Sequence, residues 1–239
     1  MRLLFLLLML VSLSAVASEA TQVSFSTQEN YTQIPVVTDL TKFIAASLEK
    51  EKIKVNFVPM PLMRGTISVE NGEVDGEMGR DLESMKSFSH IMTTSRPFMF
   101  ANIKMIYLKS RKIFSTKNLS QLQAVTLLNN HTIVQKLKDD NLKFLETKYI
   151  PQALTVLEQK RADYFLLSEV IILGFFETDP KLKEKFVIAD ENFMVMPLYL
   201  TLNKKKADLM PRIEKALRAG IKSDLKKYPR LQTIINKDF

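Results

Sequence analysis

A two-lobed α/β fold, each lobe a β-sheet flanked by helices and joined to the other by two strands, is predicted for this chain on three observations. Short β-rich runs alternate with helical runs along its 239 residues, which is the pattern of strands layered against helices. The alternation falls into two β-α-β sets. Two extended runs, Ile103–Leu108 and Met196–Leu202, link the sets, so the chain crosses between lobes twice. No Pro/Gly/Ser-rich linker, repeat or low-complexity segment divides it. Lobe 1 is accordingly expected over residues 21–103 and 198–239, lobe 2 over 108–194, with hinge strands at 103–108 and 196–202.

The elements follow from local pattern. Val23–Ser26 opens as a strand and gives way to the polar turn Gln28-Glu29-Asn30. Pro35 and Asp39 lead into a helix in which Leu40, Phe43, Ile44 and Leu48 share one face. Lys54–Val58 is a strand, and Leu62–Val69 a short helix stopped by Asn71-Gly72. Val74–Met78 is the next strand. In the second set, strands are expected at Ala124–Leu128, Lys143–Tyr149 and Ala162–Leu167. Between them lie a helix capped by Thr132 and running to Lys138, and one opened by Pro151. Glu169–Phe176 reads as a buried helix, and Phe186–Ala189 and Met196–Leu202 as separate strands. An amphipathic helix carrying Leu209, Ile213, Ala216, Leu217 and Ile221 closes the chain.

The compartment is written in the first residues. Arg2, the apolar run Leu3–Val11 and the small residues Ala15-Val16-Ala17 stand in the order of a cleaved export signal, residues 1–17 with a second cut available up to 20. Ten or so apolar residues are too few for a permanent span, which needs roughly twenty, and no later stretch is long enough either. Cysteine is absent, which removes disulfides, thiolate metal sites, a Cys nucleophile and a lipobox anchor. Export without disulfides fits a bacterial periplasm. The net charge is +8, concentrated in Lys204–Phe239 with 11 Lys/Arg against 4 Asp/Glu. That segment reads as the solvated face of a terminal helix, ahead of an anion-seeking surface. No recognition motif or aromatic-basic ladder points to nucleic acid.

Ligand crevices in such sheets lie beyond the carboxyl ends of the strands. Gln28–Tyr31, Gly79–Arg80, Asn129–Thr132 and Ser168–Glu169 are therefore expected around one cleft. Pro61-x-x-Arg64, Asn71-Gly72-Glu73-Val74-Asp75-Gly76 and Arg96-Pro97-Phe98 before the strand Ile103–Leu108 carry a resemblance, with Leu157–Asp163 as a weaker echo. On these the chain resembles the family 3 bacterial extracellular solute-binding proteins of the polar amino-acid type, as a divergent member. The resemblance implies a periplasmic-binding-protein-like fold holding a small anionic or zwitterionic, amino-acid-like ligand between the lobes. It implies service to an inner-membrane ABC permease or a sensor receptor; separately, a monomer without cofactor or metal is expected, the chain having no cysteine and two histidines. The departures are specific. Arg80 stands where the family grips a carboxylate, but without the neighbouring Ser-x-Thr; Asn130-His131-Thr132 replaces a Gly-Thr helix start; and Ser168, with Glu169 beside it, occupies the place of the family's ammonium-binding carboxylate.

The candidate ligand-binding residues are Arg80, Tyr31, Arg64, Thr132, His131, Ser168, Glu169 and Glu29. Arg80 offers a planar fork for a carboxylate, against a surface pair with Asp81 or Glu83. Tyr31 would stack on or cover a ligand, or simply pack. Arg64 would reach the cleft or clamp Glu70 or Asp75. His131 and Thr132 sit at a helix start that favours anions, or cap it. Ser168 and Glu169 would accept from a cation, Glu169 alternatively capping its own helix, and Glu29 tends toward solvent. Arg96 reads as structural, and the 12 methionines as core.

No GxSxG, HExxH, P-loop or GxGxxG occurs, and His90 and His131 are the sole imidazoles. A catalytic role is not expected. The enzymatic alternative is a carboxylate-driven lyase on the same fold, with a buried Glu77 or Glu169 as general acid. A ligand-responsive adaptor for a membrane sensor, presenting the basic C-terminal segment, is the third reading.

Overall fold

The computed structural model describes residues 20–111 and 116–239; the expected export signal lies outside the described residues. Lobe 1 starts with β1 (Thr21–Gln28), α1 (Pro35–Glu49), β2 (Ile53–Met60), α2 (Leu62–Asn71), β3 (Gly76–Arg80), the single turn α3 (Leu82–Met85) and β4 (Ile91–Thr93). Helix α1 begins at Pro35, whose fixed φ suits a first turn, four residues before Asp39. It buries Val36, Leu40, Phe43, Ile44 and Leu48, the face set by their spacing. Gly72 ends α2 at φ 78°, a left-handed cap open to glycine.

Strand β5 (Met99–Leu108) enters lobe 2, followed by β6 (Gln123–Leu127), α4 (His131–Asp139), β7 (Lys143–Thr147), α5 (Ile150–Glu158), β8 (Tyr164–Ser168), α6 (Glu169–Thr178) and the short α7 (Leu182–Lys185). Strand β9 (Phe186–Asn203) then returns the chain to α8 (Met210–Ser223). The strand order is β2-β1-β3-β9-β5-β8-β6-β7, with β4 on β9. Parallel pairs β1/β2, β1/β3, β6/β7 and β6/β8 form the two β-α-β units.

The connection between lobes differs from the sequence reading in two ways. First, Phe186–Asn203 is one strand of 18 residues, not two. The polar stretch Asp190–Asn192 interrupts the pattern but does not end the strand: β5 meets β9 at Lys104↔Asn192 and again at Ile106↔Ile188, with the extra residues bulged between. Buried Lys104 donates its Nζ to the Asp190 carbonyl inside that bulge. Second, Ile103–Leu108 does not bridge the lobes. Ile103–Ile106 pair with β8 on one edge and the strand runs along β9 on the other. The change of partner on β9 falls at Leu198/Tyr199, where β5 hands over to β3 and β4.

One apolar core runs through both lobes, including Phe25, Phe43 and Leu200 in the first and Val125, Phe165 and Ile172 in the second. The C-terminal segment closes over the junction: the Phe100 amide donates to Ile234, Asn236 donates to Phe98, and Phe239 meets the Phe98 ring edge-on at 5.4 Å. Arg96 donates to the Asp238 carbonyl at 2.8 Å, a structural contact. Among the described residues no helix is long and apolar enough to cross a membrane. Part of the C-terminal positive charge is paired: Lys206 holds Asp75, Lys215 holds Glu51, Arg218 holds Glu214, and Lys227 holds Asp224.

Candidate functional site

The carboxyl ends of β1, β3, β6 and β8 converge on a cavity of about 200 Å³ between the lobes. Lobe 1 contributes Ser26, Thr27 and Gln28 from the end of β1 with Tyr31 in the turn after it, and Glu77 through Arg80 from β3 with Asp81 just past it; lobe 2 contributes Asn129 to Ile133 and Leu167-Ser168. Most of the remaining wall is hydrocarbon or thioether: Val36, Leu40, Met99, Ile103, Ile171, Met196 and Leu198. An enclosed cavity of roughly 150 Å³ holds benzene, so this one has room for a guest of at least that size.

The polar end is built by a bulge. Strand β3 pairs with β9 at Gly76↔Leu202 and Glu77↔Thr201, then at Arg80↔Tyr199, one residue out of step. Residues three apart on a regular strand face opposite ways. The inserted residue turns Glu77 and Arg80 to the same side, a common way to re-aim a side chain. Both are buried, at 5% and 4% exposure, with Arg80 Nε 3.7 Å from Glu77 Oε2. Thr66 on α2 donates to the same carboxylate at 3.1 Å. Arg80 Nε and Nη2 are buried with no hydrogen-bond acceptor among the described residues. An unmade hydrogen bond of that kind costs about 1–3 kcal/mol, and more for a charged group.

The carboxylates beside Arg80 are held in different states. Burial pushes Glu77 up from 4.5 to about 7, with Asp81 adding to the rise and Arg80 and Thr66 opposing it. Burial would also raise Asp81, but hydrogen bonds from Thr132 and Ser84, with the Arg80 charge, outweigh it and hold Asp81 below its usual range. Asp81 caps α3 through the Ser84 amide at 2.9 Å and accepts from the Ser84 hydroxyl at 2.8 Å. It also accepts from the Thr132 hydroxyl, which ties lobe 1 to lobe 2 across the mouth. A second tie lies further out, where Arg230 contacts both Asp39 on α1 and Glu177 on α6 at 3.2 Å.

Glu77 has a measurable consequence for folding. Its folded pKa exceeds its ordinary value, so the native state holds the proton more tightly and Glu77's contribution to stability falls as pH rises from 4.5 through about 7. Glu77→Gln should remove that loss. Between pH 5 and pH 8, wild type should lose on the order of 3 kcal/mol relative to the variant. Denaturant titrations at the two pH values measure it, and parallel curves for both proteins would contradict the assignment.

Five of the eight candidates line the cavity: Arg80, Tyr31, His131, Thr132 and Ser168. Tyr31 is half-buried, and burial pushes its phenol up. Three do not line it. Glu29 is exposed on the turn Glu29–Tyr31. Arg64 is exposed because its neighbours Gly65 and Thr66 form the face of α2 pressed inward. Its supposed partners are occupied, Glu70 by Ser89 and His90 and Asp75 by Ser24 and Lys206. Glu169 is drawn toward buried Lys104, its Oε1 3.9 Å from the Nζ. Thr132 is not the cap of α4: the helix starts two residues earlier than a Thr132 cap requires, at His131 with Asn130 at the cap, which frees the Thr132 hydroxyl for Asp81. The sequence reading missed Asp81, Ser26, Thr27 and the apolar walls as site residues. The signal for Asp81 was its place just after Arg80, at the end of a strand with a second charge at Glu77. Among the described residues no group of three His, Cys, Asp or Glu is placed to hold a metal ion.

No family model and no curated protein matches this sequence. Solved structures do match in fold. An ancestral arginine-binding protein bound to glutamine superposes with a TM-score of 0.69 at 19% identity, over 89% of this chain and 97% of that one. The ancestral amino acid-binding protein AncCDT-1, a precursor of cyclohexadienyl dehydratase, gives 0.67 at 20% identity, over 90% and 96%. The substrate-binding protein of an amino acid ABC transporter gives 0.67 at 13% identity, over 88% and 97%. The fold is therefore that of the two-lobed periplasmic binding proteins.

Proposed function

We propose that this chain is a periplasmic solute-binding protein, a divergent member of the family 3 type, which closes its lobes on a small carboxylate-bearing solute. The observation that carries the reading is Arg80, a buried guanidinium with two unmet donors at the wall of an interlobe cavity. A planar fork of this kind matches a carboxylate in geometry and charge. The Asp81–Thr132 and Arg230–Glu177 contacts give the closed state its own cross-lobe bonds. Ligand shifts the open–closed balance by its differential affinity for that state. The expected export signal and the neighbour from an amino acid ABC transporter support delivery to an inner-membrane permease. Screening small carboxylates by thermal melting tests the reading. A ligand at a hundred times its dissociation constant should stabilise the fold by about 2.7 kcal/mol, and a flat response across the series would overturn it.

Glu77 supports a second reading. A buried carboxyl with a pKa of about 7 in a ligand cavity suits a general acid, and one neighbour is a precursor of a dehydratase. Elimination of water from a bound carboxylate to leave a double bond, lost in Glu77→Gln with binding retained, would establish a lyase.

A further inference from the structure

We infer that the ligand is an amine-free carboxylic acid with an apolar body, a 2-oxo acid or an aryl- or alkyl-carboxylate, rather than a free α-amino acid. The inference rests on the proposed capture of a carboxylate at Arg80 and adds what the rest of the cavity accepts.

An α-amino acid brings an ammonium group that, once enclosed, needs an ionised acceptor close by; an unpaired buried charge is prohibitively costly. Each acidic group near the cavity is committed elsewhere. Asp81 accepts from Ser84 at both its amide and its hydroxyl, and from Thr132. Glu77 faces Arg80 and accepts from Thr66. Glu169 does not line the cavity and lies 3.9 Å from Lys104. Glu29 is exposed and outside it. What lobe 2 offers beside α6 is the Ser168 hydroxyl, a neutral group. Arg80, by contrast, has buried donors without acceptors. The cavity is thus provisioned for one anionic group, and Met99, Met196, Leu198 and Ile171 face the remainder of the guest with apolar surface.

The test uses pairs that share a carbon skeleton and carboxylate, with the amine replaced by an oxo group (leucine against 4-methyl-2-oxopentanoate, alanine against pyruvate) or by hydrogen (phenylalanine against 3-phenylpropanoate, methionine against 4-(methylthio)butanoate). Calorimetric titration of the full chain should give at least about tenfold tighter binding for the amine-free partner of each pair that binds. Ser168→Asp, which puts a carboxylate at the N-cap of α6 where the helix dipole favours it, should reverse that order. Equal or tighter binding of the amino acids by the wild type would overturn the inference and leave carboxylate capture standing. No binding by any member of either series would overturn both.

Discussion

Arg80→Met should weaken binding of any carboxylate ligand by about 100-fold or more, read by calorimetric titration against the wild type. The guanidinium is the cationic group at the cavity wall with donors left open, and a thioether of similar length supplies none. Affinity and folding must be separated here, because the substitution also leaves Glu77 buried without the positive charge that opposes its rise. Breaking a buried pair by removing one member is costly, about 3–5 kcal/mol in well-formed cases. The double variant Arg80→Met/Glu77→Gln removes the orphaned acid. It should recover stability while remaining unable to bind. Retained affinity in a folded Arg80→Met protein would exclude this arginine as the anchor.

Gly76→Ala should be among the most damaging single changes to the fold, at about 3 kcal/mol. Gly76 is held between β1 and β9, with Cα partners Phe25 and Leu202. A Cβ there would come 2.2 Å from the Thr201 carbonyl oxygen and 2.5 Å from the Phe25 ring. The carbonyl belongs to a paired strand and the ring is fully buried, so neither yields cheaply. Gly79→Ala is the control: its Cβ would meet only the mobile end of Met99 closely, at 2.4 Å, and should cost less. Denaturant melts of the two variants decide the matter, and equal stability would contradict it.

The parts of this molecule legible in sequence are those fixed by short-range pattern. The apolar face of α1, the Gly72 stop and the placing of Arg80, His131, Thr132 and Ser168 at or just past strand ends needed only periodicity, turn chemistry and the crevice rule. The misplacements share a different cause. Glu29, Arg64 and Glu169 lie beside residues that do line the cavity or pack inward. Whether each faces in depends on the rotation of one turn, or on a partner such as Lys104 that is 65 positions distant in the chain. The bulge that aligns Glu77 with Arg80 is equally invisible, since its register is set by β9, which arrives more than a hundred residues later. The unbroken course of β9 was hidden because polar Asp190–Asn192 breaks the alternation on which strand reading depends.

That single strand also governs how the molecule behaves as a mechanical and thermodynamic whole. Residues 186–198 knit one sheet and 199–203 the other, so the lobes share a backbone spine rather than a loop. Opening must be absorbed as torsion spread over neighbouring peptides, with the ladder kept intact, and neither lobe can unravel without stripping a strand from its companion. Heat should accordingly melt the protein as one cooperative body, and a guest clasped at the mouth is felt by all of it.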